Sequence, residues 1–141
     1  MKSILLDRTT WGPVIDSSRN IAVCTEPYAI AQDVACAVRT FKGECWYDVT
    51  KGIPYLEEVF GSFSPALYAA LVNKEALTVP LVDSVKTVIT SFKDRRVTGQ
   101  IQITDVQENT ATVSLGDTPV IPADPPGRYL SSRYVSPSYV R

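Results

Sequence analysis

Val97-Thr98-Gly99-Gln100-Ile101-Gln102-Ile103-Thr104 alternates apolar or small residues with polar ones at every step. A period of two places Val97, Gly99, Ile101 and Ile103 on one side of an extended chain and the threonines and glutamines on the other, the pattern of a half-buried strand. Gln107, Glu108 and Asn109 then form a turn, and residues 110–115 alternate again with Ala111, Val113 and Leu115 on the apolar side. Upstream, residues 85–92 are rich in β-branched side chains and are separated from Val97 by Asp94, Arg95 and Arg96. Three such runs joined by short polar turns predict an antiparallel meander.

Ahead of Pro80 the period lengthens to that of a helix. Ile30, Val34, Val38 and Phe41 recur at steps of four, four and three, so they form one apolar stripe with Gln32, Asp33 and Arg39 facing away. Thr25 is placed to cap this helix, Glu26 and Pro27 suit its first turn, and Gly43 is a natural stop. Ser64 followed by Pro65 starts a second helix running to about Ala76, with Leu67, Leu71 and Ala70 as its buried face, packed on the first. Between the helices, Trp46 and Tyr47 are expected to pin an ordered loop into the core, and a short helix is expected at residues 56–60. Nearer the start, residues 11–15 and 21–24 flank the turn formers of 16–20 and predict a hairpin. The fold class is therefore α+β: N-terminal hairpin, two main helices and a three-stranded meander.

Composition narrows the function. The chain has 141 residues, 45% hydrophobic and 21% charged, which is enough for one ordinary core. Its net charge of −1 offers no field for phosphate backbones or anionic lipid, so neither nucleic acid nor membrane is an expected partner. The apolar run at residues 4–6 is too short for a signal or spanning segment, so a cytoplasmic, soluble product is expected. There is no histidine, which excludes Ser/His/Asp and Cys/His machinery and any histidine-containing zinc site. Cys24, Cys36 and Cys45 form neither a CxxC pair nor an even set and read as reduced packing residues. No cofactor or metal is expected.

Two domains are expected, a body at residues 1–116 and an arm at 117–141. The arm holds Pro119, Pro122, Pro125, Pro126 and Pro137, which forbid a helix or a central strand. Tyr129, Tyr134 and Tyr139 recur every five residues, each followed by Leu130, Val135 or Val140. Those six residues are the candidate contacts of an arm that lies on a neighbouring protein, tyrosine giving large contact area at low entropic cost. The plainer reading folds the segment back on its own domain or leaves it frayed.

Trp11, Asn20-Ile21-Ala22, Gln32-Asp33-Val34, Phe41-Lys42-Gly43-Glu44-Cys45-Trp46-Tyr47-Asp48 and Gly52-Ile53-Pro54-Tyr55 together resemble contractile-tailed phage baseplate proteins of the wedge and sheath-initiator family, some of which carry an inherited lysozyme-like label. The likeness covers roughly residues 7–115. It implies a body similar to the conserved domain of tail sheath proteins, standing at the base of the sheath around the tail tube, in a virion baseplate assembled in the host cytoplasm. The implied partners are the tail sheath subunit, other baseplate wedge proteins and the tail tube, with several copies in a ring. Many relatives show Glu-Pro-Arg where this chain has Val79-Pro80-Leu81, so a charge contact made by that Glu and Arg does not carry over.

The resemblance implies assembly by strand pairing, in which an exposed edge offers unpaired N–H and C=O groups to a strand from another chain. The candidate edge residues are Val97, Ile101, Ile103, Thr110, Thr112 and Val113; the plainer reading is an ordinary covered meander. A head-to-tail connector or tail terminator would share the size, charge and lack of catalytic groups. Least favoured is a peptidoglycan hydrolase using Glu44 and Asp48, since neighbouring carboxylates are usually solvated surface groups. Lys93, Asp94, Arg95 and Arg96 read most simply as a solvated turn.

Overall fold

A computed structural model describes residues 1–94 and 96–116. The elements run β1 (Lys2–Ile4), β2 (Val23–Thr25), α1 (Tyr28–Arg39), a single π turn at Tyr55–Val59, α2 (Pro65–Ala76), β3 (Val82–Lys93), β4 (Arg96–Asp105) and β5 (Thr110–Leu115). The meander forms as expected, in the order β3-β4-β5 with both pairings antiparallel. Its inner face carries Ile101, Ile103, Ala111, Val113 and Leu115, all buried. The opposite face carries Lys86, Val88, Gln100 and Gln102, all exposed. Both helices cover the inner face, α1 against β5 and α2 against β3, giving two layers around one core.

Gly99 lets the sheet form at this register. A Cβ there would lie 2.4 Å from the Val88 carbonyl oxygen and 3.0 Å from Ile89 Cα. It sits beside the register shift between Ile89 and Ser91, where a bulge brings the two backbones together.

Helix α1 differs from expectation at both ends. Thr25 is taken up in β2 opposite Lys2, so the N-cap falls on Pro27 and has no side-chain bond. At the other end Thr40 turns to extended backbone, with its hydroxyl donating to the Cys36 carbonyl at 2.9 Å, so the helix stops before Phe41 and Gly43. Phe41 instead makes a parallel bridge with Ile53. Gly52 permits this close pass: its φ is +95° and a Cβ would lie 2.7 Å from the Phe41 carbonyl carbon.

Gln32 does not face away. It is 4% exposed, donates to the Ile4 carbonyl at 2.8 Å and accepts from the Leu6 N–H at 3.0 Å, stitching α1 to the segment around β1. Asp33 accepts from the Ser3 hydroxyl at 3.0 Å beside it. Arg39 is exposed as expected, its guanidinium 4.3 Å from the Trp11 ring centre. Of the cysteines, only Cys24 is buried; Cys36 is exposed and Cys45 half-buried, and all three are free.

Ser64 caps α2, accepting from the Leu67 N–H at 3.5 Å, with Pro65 in the first turn. The buried stripe, however, is Tyr68, Val72 and Ala76, with Leu71 half-buried and Leu67 and Ala70 exposed. Tyr68 is drawn inward by aromatic neighbours, with ring centres 6.2 Å from Tyr55 and 5.8 Å from Phe63.

The turn at residues 16–20 forms, with Ile15 opposite Ile21 and Asp16 N–H donating to the Asn20 carbonyl at 2.8 Å. The Ala22 N–H still donates to the Val14 carbonyl at 2.8 Å; past that pair the two arms part, and Val23–Thr25 pairs with Lys2–Ile4 instead. Two carboxylates hold other turns. Asp7 accepts from the Thr10 and Thr9 backbone N–H groups and is held below the usual carboxylate range by them, chiefly Thr10. At Asp105 burial pushes upward, but Asn109, through side chain and backbone, and the Gln107 N–H outweigh it and leave the group lowered. Asp33 goes the other way, raised by burial. A lowered folded value means that stability is present above the ordinary carboxylate range and is lost as pH falls through the folded value. The melting temperature is therefore expected to fall on acidification into that range, with Asp33 opposing, and Asp105→Asn should flatten the dependence in a thermal melt series.

Candidate interaction surface

The hydrogen-bond phase of the sheet decides which residues offer backbone to a partner. At the β4–β5 turn the Asp105 N–H donates to the Asn109 carbonyl at 3.0 Å. In an antiparallel ladder bonded and non-bonded pairs alternate, so Ile103 with Ala111 and Ile101 with Val113 are bonded pairs, while Thr104 with Thr110, Gln102 with Thr112 and Gln100 with Ser114 are not. The backbone groups of Thr110, Thr112 and Ser114 therefore point away from β4. Among the described residues β5 pairs with β4 alone, so those groups line an open edge. By the same phase, Val85, Thr87 and Ile89 turn their backbone to the outer edge of β3.

This divides the expected edge residues. Thr110 and Thr112 lie on the open edge of β5. Val113 lies on the same strand, but its backbone is engaged by Ile101 and its side chain is buried. Val97, Ile101 and Ile103 belong to β4, the middle strand, and the latter two are buried in the core, so they brace the edge from behind. The arm residues Tyr129, Leu130, Tyr134, Val135, Tyr139 and Val140 lie outside the described residues.

The aromatic loop corrects the expectation most. Trp46 is 89% exposed and Tyr47 67%, so neither pins anything. Their rings meet edge to face at 5.8 Å on a run of tight turns, closed by Glu44 N–H to the Phe41 carbonyl and Asp48 N–H to the Cys45 carbonyl. The anchors are Ile53, fully buried, and Tyr55, whose hydroxyl donates to the Val38 carbonyl and whose pKa is pushed up chiefly by burial. Val49, Leu56 and Phe60 are also exposed, and Phe41 is 38% exposed with its ring 6.0 Å from Phe60. The two carboxylates weighed for hydrolysis serve turns here: Glu44 accepts from the Phe41 N–H at 2.9 Å and Asp48 from the Thr50 hydroxyl at 2.6 Å.

A second apolar face lies on the N-terminal strands. Ile21 and Val23 are two apart on one strand, with Ile15 and Ile4 directly opposite them, so all four share a side, and all four are more than half exposed.

The family model for the contractile injection system sheath initiator matches residues 2–108. The chain belongs to the sheath-initiator family. No curated protein matches it. The matched span of this sheath-initiator family member runs from β1 through β4 and ends in the turn before β5, so the open-edged strand and residues 117–141 follow it. As a contractile injection system component it is part of a tail or baseplate assembly. Among the described residues no helix is long and apolar enough to cross a membrane, and no group of metal-ligating side chains is present.

Proposed function

We propose that this chain is a non-catalytic structural subunit at the base of a contractile tail, where it starts sheath polymerisation by lending the outer edge of β5 to a strand of the first sheath ring. The observation that carries this is the row of backbone groups at Thr110, Thr112 and Ser114, which the ladder phase turns away from β4. An added strand would satisfy those groups, while the bracing face behind them is already packed on α1. Copies in a ring, seated on wedge proteins around the tube, would present one such edge to each sheath subunit. The arm at 117–141 adds tyrosine contacts to the same neighbours.

Polymerisation of purified sheath subunit, followed by light scattering with and without baseplate containing this chain, tests the proposal. The lag should shorten and the chain should be found at one end of each sheath. An unchanged lag, or recovery of the chain with portal proteins in place of sheath, would reject it in favour of a head-to-tail adaptor.

A further inference from the structure

The exposed ledge of Phe41, Trp46, Tyr47, Val49, Leu56 and Phe60 is not used by strand pairing. Within it the Phe41 and Phe60 rings lie 6.0 Å apart and the Trp46 and Tyr47 rings 5.8 Å apart, and large apolar side chains exposed together in this way mark a surface for binding. Its charged residues are mostly acidic, with Glu44, Asp48, Glu57 and Glu58 against Lys42 and Lys51. Residues 128–141 are its chemical complement: Arg128, Arg133 and Arg141 are interleaved with Tyr129, Tyr134 and Tyr139, and there is no acidic residue among them. The body already packs guanidinium groups on aromatic rings, Arg39 on Trp11 at 4.3 Å and Arg8 on Tyr28 at 5.3 Å.

The path is short. Gly116, where the described chain stops, lies beside the Val97 carbonyl, and Val97 pairs with Phe92. From Phe92 an aromatic run leads through Phe63, Tyr68 and Tyr55 to Phe60, with no ring-to-ring step above 6.2 Å. Residues 117–127 span up to roughly 35 Å when extended, enough to bring Arg128 to the ledge. A tether of this length holds the segment at an effective concentration on the order of millimolar, which favours the chain's own arm over that of another copy. The face at Ile4, Ile15, Ile21 and Val23 is aliphatic throughout and is flanked in sequence by both signs, Lys2 and Arg19 but also Asp16, so it matches an arginine- and tyrosine-rich segment less well.

We propose that residues 128–141 dock on the chain's own ledge at residues 41–60, covering it until assembly partners displace the arm. This goes beyond sheath templating and is measured on the isolated full chain, so either idea can fail without the other. With Trp11→Phe, Trp46 is the sole tryptophan, and its quenching by acrylamide reads coverage of the ledge. Reversing Arg128, Arg133 and Arg141 to Glu should raise the quenching constant about two-fold, and so should Glu57→Lys with Glu58→Lys. Combining the two sets should restore the low value, a rescue that misfolding would not produce, and the protection should be independent of protein concentration. Equal quenching in all four proteins, reversal without rescue, or protection that disappears on dilution would overturn the proposal.

Discussion

Gly99→Ala is expected to destabilise the domain by about 3 kcal/mol, the upper part of the range for overpacking a core. The added methyl would sit 2.4 Å from the Val88 carbonyl oxygen and 3.0 Å from Ile89 Cα, both backbone atoms. A side chain can swing aside, but backbone in the middle of a ladder moves only if β3 shifts against β4. Gly99 is buried and paired on both sides, with Ile89 and with Leu115, so a shift there disturbs both pairings and the wall of the core. Gly61→Ala is the matched control, since a Cβ there meets nothing within 4 Å, and its effect should fall within about 0.5 kcal/mol. Urea midpoints for the two variants measure the difference. A Gly99→Ala midpoint equal to that of Gly61→Ala would contradict the close approach.

Thr112→Pro is expected to reduce sheath nucleation about tenfold or more while leaving the fold intact. Proline removes one N–H, and at Thr112 that N–H points to the open edge, away from Gln102. Losing a bond to an incoming strand costs about 1 kcal/mol, and the proline ring also obstructs the strand's approach. Val113→Pro is the counter-case: its N–H is committed to Ile101 and its side chain is 2% exposed, so that variant should lose stability outright. Thermal melts and sheath lag times on both variants separate the two effects. If Thr112→Pro melted as early as Val113→Pro, the assigned ladder phase would be wrong.

The meander was legible because a period of two persisted through residues 97–104 and 110–115, and the helix boundary at Ser64-Pro65 because its cap chemistry is local. The open edge was legible in part. In a three-stranded meander the second strand is always the middle one, so Val97, Ile101 and Ile103 could have been excluded as edges from strand order alone. The outer edge of β3 could have been added by the same reasoning.

Other differences had no such signal. Aromatic density at residues 44–55 reads the same whether the rings pack on the core or cover the surface, and here Tyr55 is partly buried against the core while Trp46 and Tyr47 stay out. Gln32 looked polar and outward, yet it lies four residues after buried Tyr28 and one before half-buried Asp33, on the side where β1 supplies backbone partners. Lys2–Ile4 is too short to show any period, so the true partner of β2 was invisible. The match to residues 2–108 supplied the family, which the residue pattern alone suggested but did not decide.

A density map of the assembled tail, at a resolution that traces strands at the base of the sheath, tests the central claim most directly. A sheath strand hydrogen-bonded along Thr110, Thr112 and Ser114 is the predicted result. An outer edge of β5 facing solvent, with the first sheath ring held entirely through other proteins, would contradict it.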